Sequence, residues 1–480
     1  MKSLDTFYID GAWVAPASDR TMPILTPDTN AQIGTLALGT EKDVDRAVAA
    51  AKAAFEVYSH TSKEERLALL RRLAEVMRAR MGDLAEAITT EMGAPITMSR
   101  EVQAESGIGH LEAFIDALEA LKEEETLPNG DILSREPIGV CGLITPWNWP
   151  INQIALKVIP ALATGSTCIL KPSEHTPLSA QLFAEMVDEA GFPAGVFNLV
   201  QGDGPTVGAA LSRHPDVAMM SFTGSTRAGS AVSKDAADTI KRVTLELGGK
   251  SPNLIFADCD LETRVTEGAQ LCFYNTGQSC DAPTRMLVER SAYPKALEIA
   301  RAAAEAQAVG DPHREGDHIG PLFDKIQYDR VQALIQKGMD EGGRLLAGGP
   351  GRPEDLPEAL QSGWFVRPTI FADVTPEMTL WREEVFGPVL VITPFDDEDE
   401  AIALANDTEY GLAAYIQTGS EERATRVARR LRAGGIHING QDADYGSPFG
   451  GFKHSGNGRE GGMLGLEDYL EVKARPPFAA

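Results

Sequence analysis

Cysteine is scarce in this chain and odd in number, five in 480 residues. That excludes a disulfide framework of the kind that staples small secreted domains, so a reducing, cytoplasmic compartment is expected. A basic surface is also missing: 44 Lys and Arg stand against 70 Asp and Glu, a formal net charge of −26. Nucleic acid and anionic membranes both need a basic face, so neither is expected as a partner. A small anionic ligand held by local donors is compatible with that balance. No uncharged apolar run reaches membrane-spanning length. The start Met1-Lys2-Ser3-Leu4-Asp5-Thr6-Phe7 lacks the apolar stretch of a secretory leader. What is present is ordinary for a soluble globular protein, 43% hydrophobic and 24% charged residues. The length allows about two to four domains with large cores.

The pattern after Gly39 is helical. Over Glu41 to Tyr58, Val44, Ala47, Val48, Ala51, Ala54 and Phe55 fall on one helical face. Ser62-Lys63-Glu64-Glu65 is a capping box ahead of an amphipathic run to about Met92, and another helical run covers about Met98 to Leu121. The texture changes near Asn129-Gly130, a turn signal. Asp131 to Ser134 with Ile138 to Thr145 predicts a hairpin or paired strands. Strands are then predicted at Thr167–Leu170, Val196–Val200, Val217–Phe222 and Arg242–Leu247. They alternate with helices at Ile151–Thr164, Pro177–Ala190, Thr206–Ser212 and Thr226–Ala236. Such alternation predicts a parallel sheet with helices on both faces. A second series runs from Pro252–Phe256 through Arg285–Glu289, Thr369–Phe371, Val389–Pro394 and Ala413–Gln417 to Gly435–Asn439, with helices at Leu261–Tyr274 and Tyr293–Ala308. The two series break near Gly248-Gly249. The Gly/Pro-rich stretch Gly342–Gly363 is expected to be a surface excursion.

Four groups of segments carry chemistry. In Asn275-Thr276-Gly277-Gln278-Ser279-Cys280 a polar turn presents a thiol, which reads as a nucleophile or as a small packed side chain. Cys141, Cys168, Cys259 and Cys272 sit in apolar or strand-like runs and read as packing residues. Glu246 ends an apolar strand before Gly248-Gly249-Lys250, where a desolvated carboxyl can serve as a general base, or a Glu can simply close a turn. Pro146-Trp147-Asn148-Trp149-Pro150 offers the Asn148 amide as an oxyanion donor, or is a loop packed by its aromatics. Lys171-Pro172-Ser173-Glu174 and Phe222-Thr223-Gly224-Ser225-Thr226 place polar groups and a helix start at strand ends, as an anionic dinucleotide requires. Gly202-Asp203-Gly204-Pro205-Thr206-Val207-Gly208 misses the G-x-G-x-x-G spacing by one residue.

Together with Glu383-Glu384-Val385-Phe386-Gly387-Pro388 and Pro448-Phe449-Gly450-Gly451-Phe452-Lys453, the segments at 146–150, 171–174, 222–226, 245–250 and 277–280 resemble the aldehyde dehydrogenase superfamily. Seven motifs in the family's order cover essentially the whole chain. The resemblance implies an α/β fold with two doubly wound domains and a small β oligomerisation element. The NAD-binding domain would be 1–124 and 143–248, the catalytic domain 249–445, and the hairpin and tail 125–142 and 446–480. It implies Cys280 as nucleophile, Glu246 as general base, Asn148 with the Cys280 N–H as oxyanion hole, and Lys157 with Glu460 as a proton relay or brace. It implies cofactor contacts at Ile144, Thr145, Trp147, Lys171, Ser173, Glu174, Gly204, Gly208, Phe222, Gly224, Ser225, Leu247, Glu384 and Phe386, and no metal. Trp149, Gln153, Leu156 and Phe449 are expected to line the substrate pocket.

The implied reaction is oxidation of a small-molecule aldehyde to a carboxylic acid with NAD+. It runs through a thiohemiacetal and a thioester that Glu246-activated water hydrolyses, in a homodimer or homotetramer. Glu174 near the ribose favours NAD over NADP. The alternatives are a CoA-acylating relative, which tends to lack the motif's Glu, and a non-catalytic binding descendant of the fold. Asp281 departs from the small neutral residue usual after the nucleophile. In the pocket it would favour cationic or hydroxylated aldehydes over carboxylate semialdehydes; turned away, it would bond the loop backbone.

Overall fold

The computed structural model describes residues 2–441 and 443–478. The expected domain spans also reach Met1, Asp442, Ala479 and Ala480, which lie outside the described residues. The first alternating series forms an eight-stranded sheet. Its order is Gly456–Asn457, Arg242–Glu246, Met219–Thr223, Val140–Ile144, Thr167–Lys171, Phe197–Leu199, Phe7–Ile9, Ala12–Val14. The five central strands are parallel. Their side chains are nearly all buried, because helices cover both faces and leave no polar side.

Helix Pro150–Thr164 is buried at all but one position, starts with Pro150 and ends at Gly165 in the left-handed region (φ 92°). This all-round burial carries Lys157 into the interior. The second series forms a seven-stranded sheet in the order Arg344–Ala347, Thr369–Ala372, Val389–Phe395, Arg285–Glu289, Pro252–Ile255, Ala413–Gln417, Gly435–Ile438, parallel except at its first strand. The chain passes between the two sheets at Gly248-Gly249.

Several expectations need correction. Ile132–Pro137 and Val140–Ile144 do not pair with each other. The first pairs with Glu124–Thr126 and, antiparallel, with Leu470–Arg475 in a separate three-stranded sheet. The second enters the eight-stranded sheet, because its five residues are fully buried while those of Ile132–Pro137 are half-exposed. The Gly342–Gly363 stretch, expected as a surface excursion, includes Arg344–Ala347, a largely exposed antiparallel edge strand. The expected helix at Thr206–Ser212 is a π-helical turn, Gly204–Gly208, followed by one α-helical turn. Five short strands before Glu41 and the helix Lys325–Asp340 had no place in the sequence reading. No helix among the described residues is long and apolar enough to cross a membrane.

Candidate active site

Parallel pairing puts the carboxyl ends of Val140–Ile144, Thr167–Lys171, Met219–Thr223 and Arg242–Glu246 along one edge. In open α/β sheets that edge is where ligands bind. Ile144, Thr145, Lys171, Phe222, Glu246 and Leu247 therefore converge. Gly224 N–H donates to the Glu246 carbonyl at 3.0 Å, tying the next loop to the same place.

The loop that presents Cys280 follows helix Leu261–Phe273. Asn275, Thr276 and Gly277 are successively left-handed (φ 52°, 57° and 72°), a run that reverses the chain sharply. A Cβ on Gly277 would lie 2.2 Å from the Gly387 backbone, so only glycine fits. The Gln278 amide donates to the Asn275 carbonyl at 3.0 Å, and its oxygen accepts from Phe323 N–H at 3.0 Å. The Trp149 indole donates to Ser279 Oγ at 2.9 Å. Asn148 Nδ2 donates to the Gln278 carbonyl at 2.9 Å, bringing the amide expected to hold an oxyanion against the Cys280 loop. Gly249 passes behind it: a Cβ there would sit 2.2 Å from the Cys280 carbonyl oxygen.

The electrostatics are those of a desolvated pocket. Cys280 keeps some surface exposure, while the protein packed around its sulfur raises the thiol pKa well above the usual value. The carboxylates of Asp281, Glu384 and Glu246 push it the same way. Glu246 is 3% exposed and neither carboxyl oxygen has a hydrogen-bond partner. Burial, then Glu460, raises its pKa well above the ordinary carboxylate range against the pull of Lys157 and Arg459. Gly450 approaches Glu246 Oε1 so closely that a Cβ would be 2.6 Å away. Beside this carboxyl, Lys157 and Glu460 form a buried ion pair, and Lys157 Nζ also donates to Ser221 Oγ at 3.2 Å.

Most of the expected cofactor residues lie at that edge or on the loops that leave it. Lys171 Nζ pairs with Glu174 Oε2 at 3.0 Å. Burial pushes the Glu174 carboxyl up, but Lys171 and the local hydrogen bonds outweigh it and hold the pKa below the usual value. Ser173 Oγ accepts from His175 N–H at 3.3 Å. Ser225 caps the twelve-residue helix Thr226–Ala237, accepting from Ala228 N–H at 3.3 Å, and Gly224 lies against the Phe222 ring. Gly208 faces Ile144 and Lys171, and a Cβ on Gly204 would meet open space. Trp147 stacks on Phe323 (centroids 3.8 Å apart) and meets Phe386 edge-on at 5.6 Å. Phe386 is itself left-handed (φ 58°), its carbonyl held by Gln327 Nε2 at 2.7 Å. Thr145 Oγ1 and Thr223 Oγ1 are buried at adjoining strand ends without partners. Unfilled polar atoms, an open helix start and space at Gly204 fit an anionic dinucleotide.

Glu384 Oε1 accepts from Gly249 N–H at 2.9 Å. Burial pushes its carboxyl up to about 7, against Gly249, Arg330 and Lys250. A carboxyl that binds its proton more tightly folded than unfolded costs stability as pH rises from its ordinary 4.5 to about 7, and the loss is complete above that. Glu384→Gln is expected to remove that decline, about 3 kcal/mol. Urea melts at pH 4.5 and pH 8 check it, and identical pH slopes in both proteins would contradict it.

Other placements follow. Leu156 and Gln153 are buried on helix Pro150–Thr164, Phe449 is half-buried with its backbone paired to Glu460, and Trp149 lies 6.2 Å from the Tyr274 ring. The Asp281 carbonyl accepts from the Tyr415 hydroxyl at 3.1 Å. Cys141, Cys168 and Cys272 are buried in apolar clusters, and Cys259 is half-buried. Sequence reasoning did not single out Gln103, Phe323 or Gln327. None of them lies in a motif, so only their contacts reveal them.

The family model for the aldehyde dehydrogenase family matches residues 13–475. The chain is 51% identical to a 3-succinoylsemialdehyde-pyridine dehydrogenase from a Pseudomonas species, over 99% of this chain and 98% of that protein. It is similar to the crystal structure of an aldehyde dehydrogenase from Bartonella henselae, with a TM-score of 0.97, 50% identity and 99% of each chain covered. A variant of aldehyde dehydrogenase C from Pseudomonas syringae, complexed with NAD+ and octanal, gives a TM-score of 0.96 at 48% identity, covering 98% of this chain and 96% of that one. With its two doubly wound sheets and its full length matched, the chain belongs to the aldehyde dehydrogenase family.

Proposed function

We propose that this protein oxidises an aldehyde to a carboxylic acid with NAD+. The observation that carries this is the docking of Asn148 onto the Cys280 loop, with the unpartnered, desolvated Glu246 carboxyl beside it. Cys280, its thiol proton given up to solvent, attacks the carbonyl carbon as the thiolate; the C–S bond forms as the carbonyl π pair moves onto oxygen, giving a thiohemiacetal. The Asn148 amide and the Cys280 N–H hold the negative charge on its oxygen. NAD+, when bound, supplies the hydride acceptor. Loss of hydride leaves a thioester on Cys280. Glu246 takes a proton from water, which attacks that thioester and releases the acid. The Lys157–Glu460 pair beside Glu246 offers a route for that proton.

Lys171, Glu174, Gly224, Ser225, Trp147, Glu384 and Phe386 would hold the cofactor. The cofactor domain would comprise 1–124 and 143–248, and the catalytic domain 249–445. The three-stranded sheet of Glu124–Thr126, Ile132–Pro137 and Leu470–Arg475, which overlaps the 125–142 and 446–480 spans, would join copies in a homodimer or homotetramer. It stands apart from both large sheets and exposes Val472. Five unpaired thiols support a reducing, cytoplasmic setting. The tilted pair of Trp149 and Tyr274 rings beside the Cys280 loop, with the relatives' octanal and pyridine semialdehyde, supports an uncharged aromatic or long-chain aldehyde.

The test is nicotinamide reduction across aliphatic, aromatic, amino- and carboxy-aldehydes without CoA, with the acid identified as product. A strict need for CoA would overturn the hydrolytic reading. In the same assay, Glu174 should repel a 2′-phosphate, giving at least about tenfold higher kcat/KM for NAD than for NADP. Comparable values would sink the assignment of Glu174 to the ribose.

A further inference from the structure

Four buried amides meet behind the nucleophile. Gln103, Asn148, Asn275 and Gln278 are each 5% exposed or less. Asn275 Nδ2 donates to the Asn148 carbonyl at 3.0 Å and to the Gln278 carbonyl at 3.2 Å. Gln103 Nε2 donates to Asn275 Oδ1 at 3.1 Å and reaches the Asn148 carbonyl at 3.5 Å. The Gln278 carbonyl thus takes one Asn148 amide hydrogen and one from Asn275. An amide nitrogen carries two hydrogens, so Asn148 keeps a second for an oxyanion while the first fixes its plane.

Gln103 comes from outside both strand series. It sits in the π-helical turn Ser99–Ala104, between Ile96–Met98 and helix Glu105–Ala120. A π turn inserts a residue into the helical register, and such turns concentrate at functional sites. Gln103 Oε1 has no partner, so packing alone would be served better by an apolar side chain. Asn275 holds a left-handed backbone that asparagine tolerates, which aims its side chain back across the loop.

We propose that Gln103 and Asn275 are positioning residues that set the Asn148 amide at the oxyanion formed on Cys280. The proposal rests on the reading of Asn148 as oxyanion donor. Two rate constants separate the roles. The pre-steady-state burst of NADH with aldehyde requires an oxyanion. Alkylation of Cys280 by iodoacetamide, followed by peptide mass, requires the same thiolate and no oxyanion.

Gln103→Met keeps the volume, and Asn275→Gly keeps the left-handed backbone. Each is expected to slow the burst roughly tenfold to hundredfold, the penalty of a donor displaced by about 1 Å, and to change alkylation less than about twofold. An unchanged burst, or a parallel fall in both rates, would overturn the proposal. Asn148→Ala is the control. If it slows the burst while Gln103→Met and Asn275→Gly do not, only the positioning role fails. If Asn148→Ala leaves the burst intact, the oxyanion assignment fails and the positioning role falls with it.

Discussion

Cys280→Ala is expected to bind NAD as the parent does and to lose turnover by on the order of 10⁴-fold or more, as removal of an attacking nucleophile does elsewhere. No other thiol can substitute. Cys141, Cys168 and Cys272 are fully buried in apolar clusters, and Cys259 is half-buried on the loop after Pro252–Ile255. The loop itself should survive, because Gly277, Gln278 and Ser279 are held by contacts that do not involve the sulfur. Mass spectrometry after incubation with aldehyde and NAD should find no acyl adduct, and an adduct trapped on the variant would refute the nucleophile assignment. In the parent, burial and three nearby carboxylates hold the sulfur as a thiol. Alkylation should therefore be slow at neutral pH and accelerate as pH rises.

The second large effect is expected at Glu246→Gln. The amide matches the carboxyl in shape, and it places no charge where burial and Glu460 already raise the carboxyl's pKa. The exchange should fold normally and leave thiohemiacetal formation and hydride loss intact. Without a group to take the proton from water, the thioester should persist. The signature is a full NADH burst followed by steady-state turnover slower by roughly 10²–10⁴-fold. The variant should also lose less stability than the parent as pH rises, since a carboxyl with a raised pKa costs stability once it must ionise. Undiminished steady-state turnover would remove Glu246 from the role of base.

Much of this site was legible before folding. Thr167–Lys171 and Met219–Thr223 announce themselves because strands buried on both faces are largely apolar runs, and Arg242–Glu246 through its buried end. Glu246 stands out because a charge at the end of such a run must have a reason. The strands before Glu41 gave little signal, since three of them are only three residues long. The partner of Ile132–Pro137 lies in Leu470–Arg475, more than 300 positions away, and no local pattern encodes it. The π-helical turn that delivers Gln103 differs from an α-helix by one inserted residue, below what apolar periodicity resolves.

The sequence by itself determined the alternation of strands and helices, the break at Gly248-Gly249 and the identity of the chemical groups. These depend on neighbours a few residues apart, through burial, capping and turn geometry. Only the tertiary structure decided which groups meet. Asn148 and Gln278 are 130 residues apart, and Lys157 and Glu460 are 303. Tertiary packing also shifted the pKa of the thiol and of the carboxyl. A pKa follows from how much water the surrounding protein removes and which charges it leaves nearby, and neither is a property of a segment alone.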